Sequence, residues 1–113
     1  MIVRCAYLEG SVSPEHRARF DQFVITEIVP LMKQFPGATS VRMLRAETIE
    51  DGGPSLYMTF ETIYPSVQIM KDAFAQPIRR VLREKLHEIL PLFDGRIFHV
   101  TQTLLTDETL TAS

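Results

Sequence analysis

The chain has a single cysteine, Cys5, among its 113 residues. One thiol excludes an internal disulfide and a cysteine-rich metal site, and it fits a reducing compartment. Strong charge is missing as well. Twelve basic residues against fourteen acidic ones leave a formal net charge of -2, so nothing here asks for nucleic acid. No apolar run is long enough to cross a bilayer, and no membrane partner is expected. The opening segment MIVRCAYLE carries Arg4 and Glu9 and has no small-residue cleavage site, so it does not read as a secretion signal. The expected location is cytoplasmic. The usual signatures of chemistry are absent too: no glycine-rich phosphate loop, no Ser/His/Asp arrangement, no paired-histidine spacing. No metal and no cofactor are expected.

What is present is pattern. Hydrophobic residues make up 45% and charged residues 23%, the balance of a single globular domain with one core. Between Ser13 and Phe35, the residues Phe20, Phe23, Val24, Ile28, Leu31 and Met32 form one apolar stripe at helical spacing. Ser13 is placed to cap this helix, Pro14 suits its first turn, and Phe35-Pro36-Gly37 must end it. Pro30 lies inside and deletes the hydrogen bond to the Thr26 carbonyl, which predicts a kink or a loosened turn.

Strands are predicted at Ile2–Leu8, Thr39–Ala46, Leu56–Ile63 and Arg96–Leu105, the middle two joined by the turn cluster Glu50-Asp51-Gly52-Gly53-Pro54. A short helix from about Pro65 buries Val67, Met70 and Phe74. Gln76-Pro77 breaks it, and a second helix follows from Ile78 to Leu90. The order strand, helix, strand, strand, helix pair, strand is the ferredoxin-like α+β arrangement, a four-stranded antiparallel sheet with every helix on one face. One domain is expected over residues 1–105, followed by a polar tail at 106–113.

Alternation divides each strand between two faces. Val3, Cys5 and Tyr7, with Val41, Met43, Met58, Phe60, Phe98 and Val100, form the more apolar set and are assigned to the helices. The other set mixes Ala6, Leu8, Leu44, Ile63 and Ile97 with Arg4, Arg42, Tyr57, Glu61 and His99. That mixture is too greasy for a wet face and too charged for a dry core, which predicts a homodimer packed sheet to sheet.

The long first helix beginning Pro14-Glu15 and carrying Phe20 resembles a known family, as do Val29-Pro30-Leu31, Phe35-Pro36-Gly37 and the Gln76-Pro77 break. The chain is similar to the dimeric α/β-barrel superfamily, and within it to EthD-like proteins. The resemblance implies a sheet-to-sheet dimer and a pocket between helices and sheet. It brings relatives that include cofactor-free monooxygenases, cyclases and lactone isomerases. EthD-like members place a histidine two residues before the proline of the first helix. Here that position is Ile28, so no catalytic residue is carried across.

The candidate residues are then few. Tyr7, His16 and His99 are the candidates for acid–base help. Tyr7, Phe20, Phe23, Met58 and Phe60 are the expected lining of a pocket for a small, mostly apolar organic molecule. Arg4, Glu61 and His99 are expected as a polar row on the dimer face, which reads either as a register-setting network or as a site for a general acid or base. His87 and the basic residues from Arg79 to Lys85 read as a solvated helix face. The alternative to a small-molecule enzyme is a non-catalytic dimeric module whose pocket is closed by Phe20, Phe23 and Met58. A heme-handling relative lacks support because no histidine is expected on the pocket side.

Overall fold

The computed structural model describes residues 1–111. Four strands, β1 (Ile2–Val12), β2 (Ser40–Arg45), β3 (Leu56–Tyr64) and β4 (Phe93–Thr103), form one antiparallel sheet in the order β2-β3-β1-β4. This is the ferredoxin-like α+β fold predicted from the element order. After β4 the chain runs without helix or strand to Thr111, and the end of the expected tail, residues 112–113, lies outside the described residues. Among the described residues no helix is long and apolar enough to cross a membrane.

The first and last strands, β1 and β4, are longer than the patterning predicts because two glycines continue them. Gly10 and Gly95 face each other in the β1–β4 ladder with φ of +149° and +154°. A Cβ on either would come within 2.1 Å of the opposing backbone carbonyl oxygen. Only glycine allows that approach.

The first helix runs through α1 (Pro14–Phe23), a π-turn (Val24–Ile28) and α2 (Val29–Met32). The loosening expected from Pro30 takes this form: the Val29 amide reaches back to the Val24 carbonyl, one residue beyond the α-helical partner. The Thr26 hydroxyl donates to the Gln22 carbonyl at 2.9 Å within the widened turn. The Ser13 side chain makes no cap bond. Its carbonyl accepts the His16 amide at 2.8 Å instead.

The second helical layer is α3 (Val67–Phe74), capped by the Ser66 hydroxyl accepting the Ile69 amide, and α4 (Ile78–Leu86). Met70 and Ala73 are the buried residues of α3, whereas Val67, expected inside, is exposed. α4 stops at Leu86, and a 3₁₀ turn at Leu90–Leu92 leads into β4.

The core is in two pieces. Leu8, Phe20, Val24, Ile28, Met58 and Phe60 belong to one cluster, with Ile89 closing it. Ile2, Phe35, Tyr64, Met70 and Ala73 make the other. Leu82 packs against both.

Register corrects the assignment of faces for β1 and β4. Leu8, fully buried under the helices, is paired with Met58 and Ile97, and Ala6 with Phe60 and His99. Arg4, Ala6, Leu8, Ile97 and His99 therefore share the helix side with Met43, Met58 and Phe60. Val3, Cys5, Tyr7, Phe98 and Val100 lie on the open side. The physical reason is that both sets in these strands are partly apolar. Choosing the greasier one sent Arg4 and His99 to the wrong face, whereas a cavity keeps them on the inner one.

Tyr57 also moves inward. The β1–β3 register shifts between Leu8 and Glu9, so Tyr57 is an extra residue in β3 and is buried beside Met58. Its ring meets Phe20 edge-on at 5.6 Å. Its hydroxyl donates to Asp21 Oδ1 at 2.5 Å, while Arg45 Nη1 holds Oδ2 at 2.9 Å. Burial first and the Asp21 carboxylate second push the phenol up to about 12. A folded value above the ordinary 10.0 means the protonated phenol favours folding. That contribution is complete below pH 10 and is lost as the pH climbs towards 12. Tyr57→Phe is expected to cost about 1.5–3 kcal/mol in urea unfolding at pH 7, the range for a hydrogen bond to a charged group. It should also remove a late phase from the alkaline tyrosinate titration. A cost near zero would show that the bridge from helix to sheet contributes nothing.

Candidate functional site

Between the two core clusters lies a cavity of about 270 Å³, just under the usual range for small-molecule sites. The central strand β1 presents the small side chain of Ala6 there, with Arg4 beside it. Ile28 and Met32, around the π-turn and α2, form one wall with Phe35. The sheet forms the floor through Ala6, Phe60, Thr62, Tyr64 and Ile97. Helix α4 contributes Arg79, Leu82, Arg83 and Leu86, the one-face spacing of an α-helix.

The polar groups gather at one part of this lining. Arg4 from β1 and Arg79 from α4 both place their guanidinium on the ring of Phe74, at 4.6 and 4.8 Å from its centroid. Burial, then Arg79, holds the Arg4 pKa below its ordinary value, although a guanidinium keeps its charge at neutral pH. His99 on β4 completes the group. Burial lowers its pKa, and the positive charges of Arg4 and Arg79 lower it further. The imidazole is therefore neutral at pH 7, with one ring nitrogen free to accept a proton. Tyr64 is raised by burial, with Arg4 acting in the opposite direction.

Among the expected lining residues, Phe60 lines the cavity. Phe20 and Met58 are buried in the neighbouring core cluster, and Phe23 packs on its edge beneath Lys85 Nζ, 5.7 Å from the ring centroid. Tyr7 is on the opposite face of the sheet, stacked on Phe98 at 5.2 Å. Its hydroxyl accepts from Gln102 Nε2 at 3.2 Å, and the same nitrogen lies 3.3 Å from Cys5 Sγ. The placement of Tyr7 under Phe20 and Phe23 is thus overturned. His16 lies at the start of α1 with Glu15 3.8 Å away, outside the cavity lining.

The polar row is also divided. Arg4 and His99 face the cavity, whereas Glu61 is on the open side, where it accepts from Arg42 Nη2 at 2.5 Å and Nε at 3.0 Å. Register explains the split: Glu61 pairs with Cys5, one residue out of step with Arg4. A histidine thus does reach the pocket side, against expectation. Arg79 and Arg83, read from the sequence as merely solvated, rim the cavity. Their spacing with Leu82 and Leu86 was the available signal.

No family model matches the chain, and no curated protein matches it. Solved structures do. An ethyl tert-butyl ether D (EthD) family protein from Bacillus halodurans is 16% identical over 93% of this chain and 100% of that one, with a TM-score of 0.72. SnoaB, a cofactor-independent oxygenase from Streptomyces nogalater, is 13% identical over 94% of each chain, with a TM-score of 0.65. The chain shares the fold of these two proteins. At these identities the likeness is one of fold. The position where the EthD resemblance implies a histidine is held by Ile28. Ile28 is fully buried and lines the helical wall. His99 reaches the same cavity from the sheet.

Proposed function

We propose that this protein binds a small, mostly apolar organic molecule in the cavity between sheet and helices. His99 acts there as the acid–base group of a cofactor-free reaction of the oxygenase, isomerase or cyclase type. The observation that carries this reading is the place of His99 in the lining of the cavity between sheet and helices, with its pKa lowered by burial and then by Arg4 and Arg79. A base must be uncharged at working pH and within reach of the bound molecule. His99 takes over from the sheet the role that Ile28 cannot fill from the helix. SnoaB is a cofactor-independent oxygenase, and the shared fold makes that chemistry a natural one for this cavity. The alternative, a module whose pocket is closed by Phe20, Phe23 and Met58, is disfavoured because those side chains pack beside the cavity and leave it open.

The charged and titratable groups facing His99 across the cavity are Arg4 on β1, Arg79 and Arg83 on α4, and Tyr64 on β3. All of the charged ones are positive. Histidine-ring NMR should place the His99 midpoint below the ordinary 6.5. The sign follows directly: the unfolded chain takes up this proton first, so the neutral imidazole's contribution to stability is present above pH 6.5 and is lost as the pH falls through the folded midpoint. Adding 2-naphthol should shift the His99 resonances and leave those of His16 and His87 in place. A midpoint at or above 6.5, or a ligand that moves His99 no more than the other two, would remove His99 from the site.

We also infer that the open side of the sheet pairs with the same side of a second copy. Leu44 and Val100 are 44% and 38% exposed there. Their polar neighbours are already partnered within the chain, Arg42 with Glu61 and Arg96 with Glu9. Covering such a face buries apolar area without stranding charge.

A further inference from the structure

The charges in and around the cavity do not balance. Three guanidinium groups, Arg4, Arg79 and Arg83, and one imidazole line it, and no acidic residue does. This occurs in a chain whose formal net charge is -2. Elsewhere on the sheet, arginines have found their counter-ions: Arg42 with Glu61, Arg45 with Asp21, Arg96 with Glu9. Among the described residues no carboxylate lies within ion-pair distance of Arg4, Arg79 or Arg83. A half-buried arginine left beside a second arginine is unfavourable twice over, through desolvation and through repulsion. A site accepts that cost when a ligand supplies the missing charge.

The position of both guanidinium groups over Phe74 adds a geometric reason. A guanidinium over an aromatic ring spends none of its N–H donors on a hydrogen-bond acceptor, so its N–H edges stay free. Two such edges beside one ring suit a group with two adjacent anionic oxygens, because carboxylate and guanidinium match fork to fork. The rest of the wall, Phe60, Ile97, Leu82 and Leu86, suits an apolar body of modest size.

Taking the cavity as the ligand site proposed above, we propose that its ligand is an apolar organic carboxylate. Arg4 and Arg79 hold the acid group beside Phe74, and the hydrocarbon lies between Phe60 and Leu86. Thr62 and Tyr64 supply neutral hydroxyls along the floor, neither of which competes for the positive charge.

The test compares 2-naphthoate with its neutral isostere 2-naphthamide by isothermal titration calorimetry. The acid should bind at least about tenfold more tightly, the usual advantage of a charge-assisted hydrogen bond. Arg79→Gln, an exposed helix position that folding tolerates, and Arg4→Gln should each weaken the acid about tenfold and leave the amide within about twofold. Saturating 2-naphthoate should raise the His99 NMR midpoint, whereas 2-naphthamide should not. Equal affinity for acid and amide, or naphthoate binding that ignores both arginines, overturns the carboxylate and leaves the apolar site standing. Failure of naphthoate, naphthamide and 2-naphthol alike would overturn both readings.

Discussion

Ala6→Phe is expected to abolish binding of both 2-naphthoate and 2-naphthol, raising each Kd by more than about 100-fold, while the protein stays folded. Ala6 is the central-strand residue over which the cavity opens, flanked in the ladder by Phe60 and His99. A phenyl ring there projects into the empty volume. It occupies the place of the ligand's apolar body without disturbing Arg4, Arg79 or Phe74. Enlarging a well-packed core position costs about 1–3 kcal/mol because neighbours must leave their rotamers. Here the ring has somewhere to go, so circular dichroism and the thermal midpoint should stay close to the parent's. The result separates the cavity from every other apolar surface of the molecule. If either compound binds Ala6→Phe as it binds the parent, it binds elsewhere, and the functional proposal loses its location. If the variant fails to fold, the space above Ala6 is not available to a ring, and the cavity reading fails with it.

The same residue shows how far the sequence could be read. The order of elements, the helix from Pro14 and the break at Gln76-Pro77 all follow from local chemistry: apolar period, proline, glycine. These features do not depend on what lies across the sheet. The face of a strand does. In β1, Val3, Cys5 and Tyr7 look more like core than Arg4, Ala6 and Leu8, and simple counting of apolar residues prefers them. That count assumes one buried face and one wet face. It fails when the buried face contains a polar cavity and the other face is also apolar, as Phe98, Val100 and Leu44 make it. Arg4 and His99 were noticed in the sequence for a sound reason, since charge amid aliphatics is unusual. Patterning sends them to the wrong side because the strand sets that contain them are the less apolar ones. Phe74, whose ring lies under both guanidinium groups, is at the end of α3, whereas Arg4 is on β1 and Arg79 on α4. Only the fold brings that pairing together. Tyr57 was misplaced for another reason: a bulge adds one residue to β3 and shifts the alternation beyond it. Alternation alone carries no mark of such an insertion.

The correction of faces makes a sharper prediction about assembly. The open side is now defined by Val3, Tyr7, Ile63, Leu44, Phe98 and Val100, a set richer in large apolar groups than the one first assigned to it. Val100→Asp places a carboxylate in the middle of β4 on this side, opposite Cys5. In a twofold dimer every substitution appears twice across the interface, so two unpaired carboxylates would be buried together. Each costs several kcal/mol where no cation is near, and the expected shift in self-association is at least about 1000-fold. Sedimentation velocity across a dilution series should show the parent as a dimer and Val100→Asp as a folded monomer. The control is Val81→Asp on α4, where the valine is 42% exposed, as against 38% for Val100. It introduces the same charge at a matched exposure on the helical layer, and it should sediment like the parent. Were Val81→Asp to dissociate the protein while Val100→Asp did not, the helices rather than the open sheet would form the contact. A parent chain that sediments as a monomer throughout would leave Leu44 and Val100 in water and end the argument for a partner.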